Sequence, residues 1–294
     1  MDNKIFILGV GAQKCGTTWL HSQLSRNLNV DMGFTKEYHI LDAIAQERTG
    51  LREKIINSII KLHDDRELGI NAGAERKRGQ FRVLKLAFMD NISTYFDYFD
   101  YLYLKNPKVE AVGDITPNYA ILQPEIFKLV KKGLKERGFD IKVFFLMRDP
   151  VERIWSSVRM KKRAMAKKPD EQANFDEIAF LQKISSTEES IKNKKSEYEF
   201  TIKNLEQVFD PSELHYGFYE TLFSTASFKD ICNFLGIHLA KFESSTIINA
   251  SPKQNDLPAQ LSHDLSTKYA GTYEFILNKF GNKMLNLWEG YKFL

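Results

Sequence analysis

The sequence predicts an α/β protein in which helices cover both faces of a central parallel sheet. Short apolar runs, typical of buried strands, alternate with helix-like stretches along the 294 residues. A glycine-containing loop directly follows the first apolar run and leads into a helical pattern. Hydrophobic residues make up 43% of the chain and charged residues 27%, proportions typical of a globular protein.

The apolar runs predict four strands, at residues 5–10, 108–114, 141–147 and 214–219. A helix is predicted after the first strand because Leu20, Leu24 and Leu28 recur at helical spacing. Further helices are predicted at 125–138 and 272–288. Parallel sheets bind ligands beyond the carboxyl ends of their strands, so we expect the polar motifs that follow these strands to meet at one edge.

One domain is predicted over residues 1–294, because no repeat, low-complexity tract or linker divides the chain. Two polar, charged stretches near 42–82 and 161–195 are predicted as peripheral excursions. Basic clusters within them, such as residues 161–163, are typical of solvated surface. The alternative is that they border a cleft and attract an anionic ligand.

The cysteine count and the hydropathy pattern predict a cytoplasmic location. The sequence has two cysteines, Cys15 and Cys232, which do not support a disulfide framework. No stretch approaches the apolar length of a membrane span. The net charge of +4 is mild, so it fits an anionic ligand without favouring nucleic acid.

The loop after the first strand, GAQKCGTTWL (residues 11–20), is P-loop-like with one residue displaced. Gly11, Gly16 and Thr18 fit the pattern G-x-x-x-x-G-K-[ST]. Thr17 occupies the lysine position, and Lys14 lies two residues before the second glycine. Loop amides and the positive end of the next helix bind anions, so the loop predicts an anion site. Read alone, it also fits an ordinary strand-to-helix turn.

A second candidate anion site lies in FFLMRDPVERIWSSVRMKKR (residues 144–163). Arg148 follows a predicted strand, and Pro150 is suited to opening a helix. Ser156 comes eight residues after Arg148, about two turns into that helix. A guanidinium fork and a hydroxyl can hold one phosphate between them. The alternative is an ordinary helix start in which Arg148 pairs with Asp149 or Glu152.

Together the two motifs resemble the nucleotide signatures of the sulfotransferase family. The resemblance implies the donor 3′-phosphoadenosine 5′-phosphosulfate (PAPS), the product 3′-phosphoadenosine 5′-phosphate (PAP) and no metal. The first loop would hold the 5′-phosphosulfate end, and Arg148 with Ser156 the 3′-phosphate. The implied donor-binding residues are Gln13, Lys14, Cys15, Gly16, Thr17, Thr18, Trp19, Arg148, Ser156 and, from a later loop, Lys253.

The segment TKEYHILD (residues 35–42) resembles the K-E-x-H element of the carbohydrate-type branch of that family. The resemblance implies that Glu37 is the base that takes the proton of the acceptor. Lys14 and Lys36 are then expected to stabilise the charge that builds on the leaving phosphate. Glu37 and His39 are expected to contact the acceptor, and His39 is the alternative base.

Two departures from the family pattern lie on the acceptor side. Ile40 and Leu41 stand where that branch carries aromatic residues. The stretch GDITPNYA (residues 113–120) resembles G-E-x-[ST]-P-x-Y, with Asp114 in place of glutamate. Asp114 is expected to point into the cleft and to orient the acceptor or the lysines. For Thr116 and Tyr119, a structural role is as consistent with the pattern as a functional one.

The predicted function is transfer of a sulfuryl group from PAPS to a hydroxyl, or an amine, of a carbohydrate-type or other small acceptor. Two alternatives from other classes stay open: a P-loop kinase or NTPase that uses ATP, and a non-catalytic basic nucleic-acid-binding module. The absent Walker lysine disfavours the first, and the mild charge disfavours the second. We expect no nucleic-acid partner, and the pattern specifies neither the acceptor nor the oligomeric state.

Overall fold

Five parallel strands form one sheet in the computed structural model, which describes residues 4–45, 49–67, 72–165, 169–186, 194–238 and 257–294. The sheet order is β2-β3-β1-β4-β5. The strands are β1 (Lys4–Gly11), β2 (Val30–Asp31), β3 (Ala111–Ile115), β4 (Phe139–Met147) and β5 (Leu214–Phe218).

Strand β1 lies at the centre of the sheet and of the hydrophobic core. Phe6, Leu8 and Val10 have no exposed surface. β1 pairs with β3 on one side and β4 on the other, and Gly9 is in register with both Ile115 and Phe144. Because all three strands run parallel, the loops that follow them meet at one edge of the sheet.

The described helices connect the strands and vary from one turn to five. They are α1 (Thr17–Ser25), α2 (Leu41–Ala45), α3 (Thr49–Glu67), α4 (Ala72–Asp90), α5 (Ile92–Leu104), α6 (Pro124–Lys135), α7 (Pro150–Ala164), α8 (Pro169–Ala173), α9 (Glu177–Ser186), α10 (Tyr198–Glu206), α11 (Tyr219–Leu222), α12 (Thr225–Leu235), α13 (Ala259–Lys268), α14 (Ala270–Phe280) and α15 (Lys283–Leu287). None of them is long and apolar enough to cross a membrane.

Helices cover both faces of the sheet, as aromatic contacts from neighbouring strands show. On one face, Phe6 of β1 packs against Phe99 of α5, with 5.0 Å between ring centroids. On the other face, Phe144 of β4 packs against Phe234 of α12 at 5.3 Å. Trp19 of α1 packs against Phe228 of α12, the helix that also carries Phe234. The predicted α/β fold class is therefore confirmed.

Most elements agree with the sequence-based expectations, and three details differ. β2 was not predicted, because a strand of two residues has no detectable alternation. α1 ends at Ser25, which leaves Leu28 outside the helix and exposed. The helix predicted at 272–288 is two helices, because Gly281, with a φ of 82°, ends the first.

Candidate active site

The glycine loop leaves the central strand and turns sharply into α1. Gly16 is the N-cap of α1 and has a φ of 92°, a conformation that favours glycine. A Cβ at this position would also lie 2.4 Å from Leu222 Cδ2. Lys14 has a φ of 73°, which is uncommon for a residue with a side chain. Both backbone conformations curl the loop over the start of the helix.

The amino terminus of α1 opens towards this loop. The Leu20 amide donates to the Gly16 carbonyl at 3.1 Å. The amides of Thr17 and Thr18 therefore precede the hydrogen-bond ladder of the helix. Such amides, together with the helix dipole, form an anion-binding site.

Two side chains of the predicted donor site, those of Cys15 and Trp19, are buried. Cys15 is fully buried, and burial raises the pKa of its thiol to about 12. This supports its interpretation as a packing residue, because a reactive cysteine has a lowered pKa. Trp19 is also buried, and it packs against Phe223 and Phe228. Because both side chains are buried, we expect the backbone of Cys15 and Trp19, and not their side chains, to contact the donor.

The second candidate anion site lies where β4 meets α7. The Asp149 carboxylate caps α7 by accepting from the Val151 amide at 2.9 Å, and Pro150 occupies the first turn. Arg148 therefore emerges at the strand end, and Ser156 lies on the helix that begins there. The strand and the cap hold these two residues at the same edge as the glycine loop.

Arg148 lies between a carboxylate and an aromatic ring. Its Nη2 donates to Glu152 Oε2 at 2.8 Å, the pairing expected for an ordinary helix start. Its guanidinium lies over the Tyr219 ring, 4.1 Å from the centroid. Its Nε is buried and has no hydrogen-bond partner. The Glu152 contact therefore leaves part of the Arg148 guanidinium unsatisfied.

The two sites share one positive field. Burial and the charges of Arg163, Arg148 and Arg159 lower the pKa of Lys14 from 10.5 to about 8. Lys14 follows β1 and Arg148 follows the neighbouring parallel strand β4, so the two candidate sites lie at the same edge of the sheet. A negatively charged ligand would relieve this repulsion.

A chain of polar contacts runs along the segment 36–42. Lys36 Nζ donates to Glu37 Oε1 at 2.5 Å, and His39 Nε2 lies 3.3 Å from Glu37 Oε2. His39 Nδ1 lies 3.0 Å from Asp42 Oδ2, and Asn118 Nδ2 donates to that same oxygen at 3.0 Å. The first three side chains are each about one-third exposed, so they can meet a ligand from solvent.

These contacts set the charge states of Glu37 and His39. Burial disfavours a charge on either group, but hydrogen bonds outweigh it in both. Bonds from His39 and Lys36 lower the pKa of Glu37 to about 2. Bonds to Asp42 and Glu37 raise the pKa of His39 to about 9. At neutral pH, Glu37 is therefore an ionised acceptor of protons and His39 a donor.

A buried hydrogen-bond network holds this segment from below. Asp114 accepts from Thr116 Oγ1 at 2.6 Å and from Tyr119 Oη at 2.7 Å. The Thr116 hydroxyl in turn accepts from the Tyr38 amide at 3.0 Å, and the Tyr119 hydroxyl accepts from the Ile40 amide at 3.2 Å. The network therefore positions the backbone on both sides of His39.

The structure corrects one expectation on the acceptor side. Asp114 was expected to point into the cleft, but it is fully buried, and burial raises its pKa to about 6. Any influence it has on the acceptor must pass through the segment that it supports. Ile40 and Leu41, which stand where the carbohydrate-type branch carries aromatic residues, are buried in the core.

Several residues near the site were not found by sequence reasoning. Burial and the charge of Lys36 lower the pKa of His21, a residue of α1, to about 4. Lys85 Nζ donates to the Glu37 carbonyl at 3.0 Å. Arg159 contributes to the positive field around Lys14. Lys85 gave no sequence signal, whereas Arg159 follows Ser156 by one helical turn.

Two further predictions concern Lys253 as a donor contact and the absence of a metal. Lys253, the predicted donor contact from a later loop, lies outside the described residues. Within the described ranges, no group of three or more His, Cys, Asp or Glu side chains is arranged to hold a metal ion.

Comparisons with known proteins agree with this geometry. The chain matches the sulfotransferase domain family over residues 2–257. It is similar in structure to a sulfotransferase from Alicyclobacillus acidocaldarius, with a TM-score of 0.53 and 17% identity over 95% of this chain and 96% of that chain. A comparison with curated proteins gives no match.

Two further solved structures are similar to the chain. One is the sulfotransferase domain of the Synechococcus PCC 7002 olefin synthase, with a TM-score of 0.49 and 15% identity over 92% of this chain and 94% of that chain. The other is the sulfotransferase domain from the curacin biosynthetic pathway, with a TM-score of 0.42 and 17% identity over 82% and 76%. Since the family match covers most of the chain, the protein belongs to the sulfotransferase family of enzymes.

Proposed function

We propose that the protein transfers a sulfuryl group from PAPS to a hydroxyl, or an amine, of a carbohydrate-type or other small acceptor. The observation that carries this proposal is the placement of both motifs at one edge of the sheet, where the glycine loop follows β1 and Arg148 follows the neighbouring strand β4. Two adjacent anion sites suit a nucleotide that carries an anionic group at each of two ribose positions.

The unsatisfied polar groups of the site fit such a donor. The buried Arg148 Nε lacks a hydrogen-bond partner, and the first amides of α1 lack partners within the helix. The Ser156 hydroxyl lies on the helix that follows Arg148. We assign the 3′-phosphate to Arg148 and Ser156, and the 5′-phosphosulfate end to Lys14, Gly16 and Thr18.

When bound, the donor supplies the sulfuryl group. The acceptor oxygen forms a bond to sulfur while the bond between sulfur and the phosphate oxygen breaks, and PAP leaves. We assign to Glu37 the proton that the acceptor loses, because it is ionised at neutral pH, whereas His39 is protonated. With its low pKa, Glu37 takes the proton only once the attacking oxygen has begun to bond to sulfur. Lys14 and Lys36 stabilise the negative charge on the phosphate side.

The acceptor is proposed as a polar molecule of carbohydrate type. Lys36, Glu37 and His39 are partly exposed, and each can donate or accept a hydrogen bond. Hydroxyl groups of a sugar match such a surface. This part of the proposal rests on the K-E-x-H element together with that exposure.

An acceptor screen with radiolabelled PAPS tests the proposal. We expect label to pass to a hydroxyl-bearing acceptor, and Glu37→Gln to lower kcat by about 10²–10⁴-fold. PAP affinity should change less than about twofold, because Glu37 is assigned to the acceptor. Glu136→Gln, an exposed glutamate at the far end of α6, is the matched control. Full activity of Glu37→Gln would instead favour His39 as the base, and ATP binding without PAP binding would refute the donor.

A further inference from the structure

Arg159 lies on the same face of α7 as Ser156. Side chains three and four positions apart share one face of a helix, so Glu152, Ser156, Arg159 and Arg163 form a stripe along α7. The stripe begins beside Arg148, which Glu152 contacts at 2.8 Å. Arg159 is therefore the next residue of this stripe beyond the assigned phosphate ligand Ser156.

The guanidinium of Arg159 is buried without sufficient hydrogen-bond partners. Arg159 is only 7% exposed, and its Nε and Nη1 atoms are buried with no partner. It packs over the Trp155 ring at 5.1 Å, a contact that orients the guanidinium but leaves those N–H groups unsatisfied. Burying a charged group without acceptors is unfavourable, so this arrangement indicates a ligand that supplies oxygen atoms.

The direction of the side chain points to the Arg148 end of the helix. Helical side chains lean towards the amino terminus, which here brings the Arg159 guanidinium back over the turn that carries Trp155 and Ser156. The Trp155 contact agrees with this direction. Burial lowers the pKa of Arg159, and the charges of Glu152 and Arg148, both at that end of the helix, also act on it.

We propose that Arg159 is a third ligand of the 3′-phosphate assigned to Arg148 and Ser156, an inference that rests on the proposed function. A phosphate dianion has three terminal oxygens, and an arginine fork can bond two of them. Arg148 is partly engaged by Glu152, so a second guanidinium completes the neutralisation of the dianion. A phosphate bound here would supply acceptors for the unsatisfied Nε and Nη1 of Arg159.

Calorimetry with two nucleotides tests this inference. PAP carries both phosphates, whereas adenosine 5′-phosphate (AMP) lacks the 3′-phosphate. We expect Arg159→Met to weaken PAP binding by about 10- to 100-fold, the range for a lost charged hydrogen-bond pair. AMP affinity should change less than about threefold, because AMP offers Arg159 no phosphate.

Two variants separate a direct contact from a general effect of charge. Arg163→Met removes the same charge from the next turn of the stripe, where the side chain is exposed. It should weaken PAP and AMP equally, by less than about threefold. Arg159→Lys keeps the charge but loses the fork, so its PAP affinity should lie between those of the wild type and Arg159→Met.

The melting temperature of the ligand-free protein provides a readout independent of binding. Arg159→Met should melt at the same or a higher temperature than the wild type, because it removes two buried N–H donors, Nε and Nη1, that lack hydrogen-bond partners. The temperature rise that PAP produces should shrink in the same variant.

The proposal is overturned if Arg159→Met leaves PAP affinity unchanged, or weakens PAP and AMP by the same factor. An unchanged PAP affinity with a raised KM for the acceptor would assign Arg159 to an anionic group of the acceptor. If the wild type binds no PAP, both this inference and the proposed function fail. If only the variant comparison fails, the proposed function stands.

Discussion

Raising the pH from 7 to 9 is expected to weaken the binding of PAP about tenfold through the deprotonation of Lys14. The physical reason is the lowered pKa of this lysine. In the free protein, burial and three neighbouring arginines hold it at about 8. A bound phosphate favours the charged form and returns the pKa towards 10.5, so binding above pH 8 must take up a proton.

The magnitude follows from the fraction of free protein in which Lys14 is charged. At pH 9, one unit above its pKa of about 8, roughly one-tenth of the free protein carries this proton. The apparent affinity falls by the same factor. The second pKa of a phosphate is about 6, so the ligand itself does not titrate between pH 7 and pH 9.

Isothermal titration calorimetry at pH 7, 8 and 9 measures both the affinity and the proton uptake. Repeating each titration in two buffers with different ionisation enthalpies gives the number of protons bound. Lys14→Arg is the matched control, because a guanidinium stays charged throughout this range. His39, with a pKa of about 9, also titrates here, so the slope should persist in His39→Gln.

If the PAP affinity of the wild type did not change with pH, Lys14 would not control binding in this range. The same would follow if the PAP affinity of Lys14→Arg changed with pH as steeply as that of the wild type. A slope that disappears in His39→Gln would assign the titration to the acceptor side instead.

Three further predictions concern the loop, the second site and the acceptor side. Gly16→Ala should lower the free energy of unfolding by about 2–4 kcal/mol in urea titrations, because it adds a left-handed alanine and a clash with Leu222. Glu152→Gln should tighten PAP binding by about two- to fivefold, because Arg148 then does not have to break an ion pair with a carboxylate before it binds phosphate. The melting temperature of the wild type minus that of His39→Gln should decrease as the pH rises from 6.5 to 9. The contacts that raise the pKa of His39 stabilise the folded state only while His39 is protonated.

Each of these predictions has an outcome that contradicts it. An unchanged unfolding midpoint for Gly16→Ala would show that the loop does not require the positive φ. Weaker PAP binding by Glu152→Gln would make Glu152 a positioning residue for Arg148 and not its competitor. A melting-temperature difference that stays constant between pH 6.5 and pH 9 would show that the contacts of His39 do not depend on its charge.

The sheet was predictable because buried parallel strands are nearly continuous apolar runs. β1 and β4 each contain such a run, and their positions agree with the structure. Placing the glycine loop and Arg148 at one edge followed from parallel topology alone. β2 was not predictable, because its two residues pair with β3 but are too few to show a hydrophobic periodicity.

Burial in the site was less accessible to sequence reasoning. Residues 159–163 read RMKKR, a composition typical of solvated surface, yet Arg159 is buried over Trp155. Its position one turn after Ser156 was the signal that could have identified it. Ile40 is buried, and its amide donates to the hydroxyl of Tyr119, which is 79 positions away in the chain. Such contacts between distant residues leave no local pattern.

We propose that two neighbouring anion sites hold the two ends of the donor nucleotide. The decisive measurement is a crystal structure of the complex with PAP. We predict the 3′-phosphate within hydrogen-bond distance of Arg148 and Ser156, and the 5′-phosphate against the amides that open α1. A nucleotide bound in the reverse orientation, or away from these residues, would show that the two sites do not hold the donor in this way.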